Sequence, residues 1–267
     1  MWDNILTVQL GYGILLSLII CGSAWWMNAL SISGAWAAFV LGALVFGIGG
    51  WSWSAVLITF FITSSLLSHL FKKQKQQIEA QIEKGSRRDW AQVLANGGVA
   101  MFCVLLKGWF PHSPLPFLAA SASLAAANAD TWGTELGVLS SKPPRLITTA
   151  KIVDRGVSGG VSVLGLIAAL AGSILIATIY WFFENNLYYF LLVCLSGFVG
   201  SLIDSLLGAS LQVVYFCPRC KKETEKHPLH SCNEKTTYRR GWKWLNNDVV
   251  NLACTMFAAI FALIFAF

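Results

Sequence analysis

The stretch VLGLIAALAGSILIATIYWFF, at residues 163–183, contains no charged side chain and decides the fold class. An α-helix of about 20 apolar residues crosses the roughly 30 Å hydrocarbon core of a bilayer. Similar apolar runs recur along the chain and predict spans at about 5–27, 33–50, 52–71, 93–110, 115–138, 158–183, 187–215 and 246–267. We therefore expect an all-α, polytopic transmembrane helical bundle of about eight spans, with a re-entrant pair as the alternative for the second and third.

Composition points to the same class of protein. Of the 267 residues, 56% are hydrophobic and 12% are charged, and the mean hydropathy is +0.62, which excludes an ordinary soluble domain. Because Asp3 and no basic residue precedes the first apolar run, we expect a span there rather than a cleaved signal peptide. We expect residues 1–267 to form a single transmembrane domain, with residues 216–245 as a cytoplasmic loop insertion.

The net charge of +6 is concentrated in three connections, at residues 72–88, 142–155 and 219–243. With eight spans these are the third, fifth and seventh loops, so all three lie on one side of the bilayer. Basic loops favour the cytoplasmic (or stromal) side, which leaves both termini on the other. Contact with lipid headgroups is the simpler explanation for such loops. The bilayer is therefore an expected partner, and nucleic acid is not, because the charge is juxtamembrane. The polar stretch 72–92 predicts either a short amphipathic helix or a solvated linker.

Carboxylates inside the predicted spans are the first sign of chemistry. Asp130 and Glu135 lie in the fifth span and Asp204 in the seventh, where a carboxylate needs a partner, a proton or nearby water. Acids gathered at one depth repel one another unless a cation neutralises them, and oxygen ligands of this kind suit Mg²⁺. Helical spacing lets Asp130 and Glu135 converge only if the helix loosens, for which Gly133 is a plausible place. Polar neighbours at the same level are Asn96, Asn128, Thr131, Asn247, Asp248 and Asn251. The alternative is that these groups only hold the bundle together by hydrogen bonds.

A glycine-rich basic segment follows the fifth span. Residues 155–162 read RGVSGGVS, and Ser158 is a suitable N-cap for the sixth span. Free backbone N–H groups at a helix start, preceded by Gly156, Gly159 and Gly160 and ending in Ser162, form a ready phosphate site. Lys151 and Arg155 could neutralise phosphoryl oxygens, and Arg145 could act as a bidentate clamp. The segment matches neither the Walker nor the dinucleotide pattern.

Seven cysteines divide into two groups. Cys217, Cys220 and Cys232, with either His227 or His230, have the ligand types and spacing of a structural Zn²⁺ site. Free thiols or redox chemistry are the alternatives, and a disulfide is disfavoured on the cytoplasmic side. The remaining cysteines lie in predicted spans and are expected to pack as small apolar residues: Cys21, Cys103, Cys194 and Cys254.

Six segments carry a family resemblance: ADTWGTELG at 129–137, RLITT at 145–149, RGVSGGVS at 155–162, DSLLGA at 204–209, CPRC at 217–220 and WLNNDVVN at 244–251. In this order, over nearly the whole chain, they resemble the integral membrane family known as domain of unknown function 92. That family includes transmembrane protein 19 and the phytyl-phosphate kinases of photosynthetic organisms. Gly133 and Val157 depart from the family pattern.

The resemblance implies transfer of a phosphoryl group from a nucleoside triphosphate, CTP or ATP, to a prenyl monophosphate. The product would be a prenyl diphosphate for tocopherol or phylloquinone synthesis. We expect Asp130, Glu135, Asp204, Lys151 and Arg155 to act in catalysis, with the three acids holding Mg²⁺. The expected substrate- and nucleotide-binding residues are Asn96, Asn128, Thr131, Arg145, Gly156, Ser158, Gly159, Gly160, Ser162, Asn247, Asp248 and Asn251. An ion-coupled transporter or lipid scaffold, or a cytidylyltransferase that makes a CDP-lipid, are the alternative functions.

Overall fold

The computed structural model describes residues 2–71 and 87–267, with side chains from residue 8 onward. The predicted amphipathic helix or linker lies mostly outside these residues. The described chain contains eight long helices: α1 (Trp2–Trp26), α2 (Ile32–Leu44), α3 (Trp51–Leu70), α4 (Trp90–Trp109), α5 (Leu115–Gly137), α6 (Val163–Glu184), α7 (Leu187–Ser210) and α8 (Asn247–Ile264). A π-helical turn, Val45–Gly49, extends α2. Seven of the eight are long and apolar enough to cross a membrane, which confirms the predicted multi-pass bundle.

Helix α5 is the one that does not belong to these seven, and it lies at the centre of the bundle. It contacts α3, α4, α6, α7 and α8, and every residue from 116 to 129 is buried. Its sequence is rich in Ala and Ser, so it is less apolar than the other helices. Because neighbouring helices enclose it, α5 has no need of a lipid-facing surface. Its 23 residues extend about 34 Å at 1.5 Å per residue, which is long enough to cross a bilayer.

Small residues allow the helices around α5 to approach closely. A Cβ atom added at Gly197 of α7 would lie 2.6 Å from Cβ of Ala125 of α5, and one at Gly200 would lie 2.7 Å from Cβ of Ala126. On the other side of α5, a Cβ at Gly133 would lie 3.2 Å from the carbonyl oxygen of Gly165 in α6. Such contacts are typical of helix packing in membranes, where van der Waals contact drives association.

Two helix boundaries differ by five residues from those predicted, because short strands form next to them. Helix α6 starts at Val163 rather than 158, since β1 (Arg145–Leu146) pairs with β2 (Gly160–Val161) and keeps the chain extended. Helix α7 ends at Ser210 rather than 215, since the chain turns into β3 (Val214–Cys217). Strand β3 pairs antiparallel with both β4 (Lys222–Thr224) and β5 (Thr237–Arg240). We refer to residues 216–245 as the Cys/His module; their standing as an insertion into a single transmembrane domain stays a prediction.

Candidate functional site: a polar chamber at one end of the bundle

A polar chamber of about 300 Å³ lies at one end of the bundle. The C-terminal ends of α3, α5 and α7 and the N-terminal ends of α4, α6 and α8 surround it, together with the glycine-rich segment. Its polar and glycine lining residues include Ser68, Arg88, Gln92, Asn96, Asp130, Thr131, Glu135, Arg155, Gly156, Ser158, Gly159, Gly160, Ser162, Asp204, Glu225, Asn247 and Asn251. Segments that are distant in sequence therefore meet in one space.

Two acids from neighbouring helices share this chamber. Asp130 comes from α5 and Asp204 from α7, and their carboxylates are close enough to repel each other. The Oδ2 atom of Asp204 is buried and has no hydrogen-bond partner among residues 2–71 and 87–267. Glu225 of the Cys/His module adds a third negative charge near Asp204. Buried like charges at this spacing call for a cation or a proton between them.

Glu135 reaches the chamber from another side of α5. Its Oε1 atom accepts a 2.6 Å hydrogen bond from Ser68 Oγ of α3, and its charge interacts with the guanidinium of Arg88. Helix α5 is α-helical through Gly133, so the expected loosening of the helix there is wrong. None is needed, because Asp130 and Glu135 both line the chamber although they lie on different faces of α5.

The glycine-rich segment forms one wall of the chamber and packs against the end of α7. Gly159 has a φ of +80°, and a Cβ atom there would lie 2.5 Å from the backbone nitrogen of Ala209. Ser162, not Ser158, caps α6 by accepting a hydrogen bond from the backbone N–H of Gly165. The N-cap prediction was wrong because the β1–β2 pairing delays the helix. Ser158 instead donates a 2.7 Å hydrogen bond to Gln212 Oε1.

Four residues predicted to act at the site do not line the chamber. Asn128 is fully buried deeper in α5; it donates to the carbonyl oxygen of Gly172 and accepts from hydroxyl groups of α3. Arg145 is exposed and its Nη1 atom donates to the carbonyl oxygen of Ala150, while Lys151 is also exposed. Asp248 is buried and does not line the chamber, whereas Asn247 and Asn251, one turn apart on α8, both do.

The structure adds residues that the sequence did not single out. Arg88, Gln92, Ser68 and Glu225 all line the chamber. Gln212, which is buried, links two chain segments: its Oε1 atom accepts from Ser158, and its Nε2 atom donates to Glu225 Oε1 at 2.7 Å. Among the described residues, the cationic side chains of the chamber wall are those of Arg88 and Arg155. In the sequence, Arg88 comes directly before Asp89, the N-cap of α4, and this position next to a span was the signal that it lies near the helix ends.

The Cys/His module brings four ligand-type side chains together. Cys217, Cys220, His230 and Cys232 place one ligand atom each within 4.8 Å of one another. The sulfur atoms of Cys217 and Cys232 are 3.6 Å apart, close to the ~3.8 Å expected for two thiolates on a tetrahedral Zn²⁺ with 2.3 Å bonds. The hydrogen bond with His230 lowers the pKa of the Cys232 thiol to about 6. A site of this composition fits a tetrahedral metal.

Of the two candidate histidines, His230 belongs to this cluster. Its Nδ1 atom lies 3.2 Å from the sulfur of Cys232 and 3.6 Å from that of Cys220. His227 instead stacks on the ring of Tyr215, with the centroids 4.3 Å apart, and its Nδ1 atom lies 3.3 Å from Thr236 Oγ1. All seven cysteines lie among the described residues, and none of them forms a disulfide bond.

Comparison with known proteins gives matches over most of the chain. Protein PGR of Arabidopsis thaliana is 34% identical over 234 residues, which cover 78% of this chain and 81% of that protein. An uncharacterised membrane protein of Methanocaldococcus jannaschii is 31% identical over 196 residues, covering 72% of this chain and 80% of that protein. Protein VTE6, chloroplastic, of Arabidopsis thaliana is 27% identical over 254 residues, covering 93% and 69%. No solved structure gives a significant match.

The family comparison agrees with these relatives. The sequence profile described as Integral membrane protein DUF92 matches residues 15–259, which is most of the chain and includes α3 to α7 and most of α8. This chain therefore belongs to the DUF92 family of integral membrane proteins.

Proposed function

We propose that the chamber is the active site of a membrane-embedded kinase that phosphorylates a prenyl monophosphate. The observation that carries this proposal is the meeting of Asp130 and Asp204 with the glycine-rich segment in one space. Phosphoryl transfer needs acids for a metal, and N–H groups and cations for phosphate oxygens, all in alignment. Similarity to protein VTE6 and the family resemblance to phytyl-phosphate kinases support the same activity.

Asp130 and Asp204 would hold Mg²⁺, with Glu135 and Glu225 as the further acids of the chamber. Mg²⁺ is usually bound by one or two carboxylates, several waters and the substrate phosphates, so two side chains suffice. The nearby amides of Asn247 and Asn251 supply polar contacts. A bound Mg²⁺ would offset the repulsion between the acids around Asp204 and so lower the cost of keeping them inside a helical bundle.

Arg155 and the turn at residues 156–160 would grip the nucleotide phosphates. The turn lies directly before the capped start of α6, whose free N–H groups favour negative charge. Lys151 and Arg145 are not assigned to this role, since neither lines the chamber. Arg88, the other cationic side chain of the chamber wall among the described residues, would bind the acceptor phosphate.

In the reaction an oxygen of the prenyl monophosphate attacks the γ-phosphorus of the nucleoside triphosphate. The bond between this phosphorus and the bridging oxygen breaks, and its electron pair leaves with the nucleoside diphosphate. The acceptor is already an anion, so no general base is required. Arg88 and Arg155 align the phosphates and neutralise their charge, and a bound Mg²⁺ would supply further neutralisation.

The chamber end would face the cytoplasm or stroma, where nucleotides are available, as the basic loops predict. The cluster of Cys217, Cys220, His230 and Cys232 would hold a structural Zn²⁺, since four protein ligands leave no open position for catalysis.

The test is phosphoryl transfer by the purified protein in nanodiscs, with Mg²⁺, γ-³²P-labelled ATP or CTP and phytyl monophosphate. We expect labelled phytyl diphosphate from the wild type and at least a hundredfold less from Asp130→Asn. Asp154→Asn is the matched control, because Asp154 is an exposed acid of the neighbouring loop that does not line the chamber. Equal turnover by Asp130→Asn and the wild type would contradict the site, and no transfer with either nucleotide would contradict the activity.

A further inference from the structure

A narrow groove lies beside the chamber, between α1, α2, α3 and α4. Its apolar wall includes Ile20, Leu41, Phe46, Leu57 and Phe61. The polar side chains that line it are those of Ser17, Arg88, Gln92 and Asn96. The groove measures about 70 Å³, against about 300 Å³ for the chamber. An apolar groove of this kind suits part of one hydrocarbon chain.

The groove and the chamber share part of their walls. Arg88, Gln92 and Asn96 line both spaces, so these side chains form the mouth of the groove. The guanidinium carbon of Arg88 lies 5.5 Å from the ring centre of Phe60, which lines the groove, while its charge interacts with Glu135 in the chamber. The apolar groove therefore meets the polar chamber at the guanidinium of Arg88.

We infer that the groove binds the hydrocarbon tail of the prenyl monophosphate and that Arg88 binds its phosphate. This inference rests on the proposed function and names the place of its acceptor. An amphiphile with one anionic end and one apolar chain matches the charge distribution of groove and mouth. Burial of the chain removes apolar surface from the membrane interface, and the phosphate finds a cation where the groove meets the chamber.

The geometry of α2 limits the length of chain that the groove accepts. From Ala38 to Phe46 the groove follows α2 for eight residues, about 12 Å at 1.5 Å per residue. At its side, α2 and α4 are in direct contact, because a Cβ atom at Gly97 would lie 2.5 Å from Leu41 Cδ1. A larger side chain at Ala38 would therefore block the groove close to its mouth.

Photo-cross-linking without nucleotide tests this inference. The probe is farnesyl monophosphate with a diazirine at its tail end, added to the protein in phosphatidylcholine nanodiscs. We expect labelled peptides from the groove wall, at Leu41 or Leu57, and competition by unlabelled phytyl monophosphate. Dioleoyl phosphatidic acid should not compete. Labelling confined to lipid-facing residues such as Val40 and Ile62 would overturn the inference, and so would equal competition by phosphatidic acid, which would make the groove a bilayer-lipid site.

Two substitutions on α2 and one at the mouth sharpen the test. Ala38→Phe should reduce groove labelling at least tenfold, whereas Val40→Phe, on the exposed face of the same helix, should leave it unchanged. Arg88→Gln should weaken labelling by the phosphate probe but not by a diazirine-tailed farnesol. Groove labelling of Ala38→Phe at the wild-type level would contradict the assignment.

The two proposals fail separately in these experiments. Cross-linking needs no turnover, so a protein that labels in the groove but transfers no phosphoryl group would retain the tail site and lose the kinase assignment. A protein that makes phytyl diphosphate but labels only on its lipid-facing surface would retain the kinase assignment and lose the groove.

Discussion

Gln212 donates a 2.7 Å hydrogen bond from Nε2 to Oε1 of Glu225, a residue just after β4 of the Cys/His module. Through its other side-chain atom, Gln212 accepts a hydrogen bond from Ser158 of the glycine-rich segment. One buried amide therefore connects the Cys/His module to the wall of the chamber. The module is part of the construction of the site rather than a separate appendage.

Replacement of Gln212 by Ala should break this connection. We expect kcat for phosphoryl transfer to fall about tenfold or more, because loss of such supporting contacts typically costs 10- to 100-fold in activity. Gln9→Ala is the matched control. Gln9 also donates to a partner in another helical segment, the carbonyl oxygen of Phe46, but it lines neither the chamber nor the groove. Steady-state kinetics in nanodiscs distinguish the two, and equal rates would contradict the supporting role of Gln212.

Loss of Zn²⁺ from the Cys/His module should also lower the rate of phosphoryl transfer. We expect one zinc per chain in the purified protein by inductively coupled plasma mass spectrometry, and loss of zinc and most activity in Cys232→Ala. Folding of structural zinc sites depends on the metal, so Glu225 would lose its position. Cys194→Ala, a thiol of α7 outside the cluster, should keep both zinc and activity. A zinc-free wild type with full activity would rule out this role.

The glycine-rich turn should not tolerate a side chain at Gly159. Both its φ of +80° and the 2.5 Å approach to Ala209 oppose a Cβ atom, so Gly159→Ala should displace the turn and raise the KM for the nucleotide at least tenfold. Gly108→Ala is the control, because a Cβ atom there meets nothing within 4 Å and the position is helical. Wild-type nucleotide KM in Gly159→Ala would argue against phosphate binding by the turn.

The predicted sidedness can be tested with a pair of introduced thiols. Ser141 and His112 are both exposed and lie in loops at opposite ends of α5. In intact bacterial cells, a membrane-impermeant maleimide should label His112→Cys and should label Ser141→Cys only after permeabilisation. The reverse pattern would place the chamber on the outer side, away from cellular nucleotide.

The sequence predicted those features that depend on local pattern. Runs of apolar residues marked the spans, and the energetic cost of acids in a bilayer marked Asp130, Glu135 and Asp204, which all line the chamber. Prediction from sequence failed where contacts between distant segments determine the position of a side chain. Asn128 satisfies its amide inside the bundle, and Ser158 turns to Gln212 instead of capping α6, because of partners that lie 44 and 54 residues away in sequence.

The residues that the sequence did not single out share one property. Arg88 and Glu225 lie in connections whose composition resembles that of ordinary solvated loops, and they enter the chamber only through the folding of α4 and the three-stranded sheet. Helix α5 gives the converse case. Its weak apolar signal reflects its enclosure by other helices, which no periodicity within its own sequence reveals.

In the proposed active site, Asp130 and Asp204 bind one divalent cation together. Electron paramagnetic resonance with Mn²⁺ in place of Mg²⁺, in the presence of nucleotide, measures this directly. We predict one bound Mn²⁺ per wild-type chain and per Asp154→Asn chain, and at least tenfold weaker binding in both Asp130→Asn and Asp204→Asn. Undiminished Mn²⁺ binding by either of the last two variants would contradict a shared metal site.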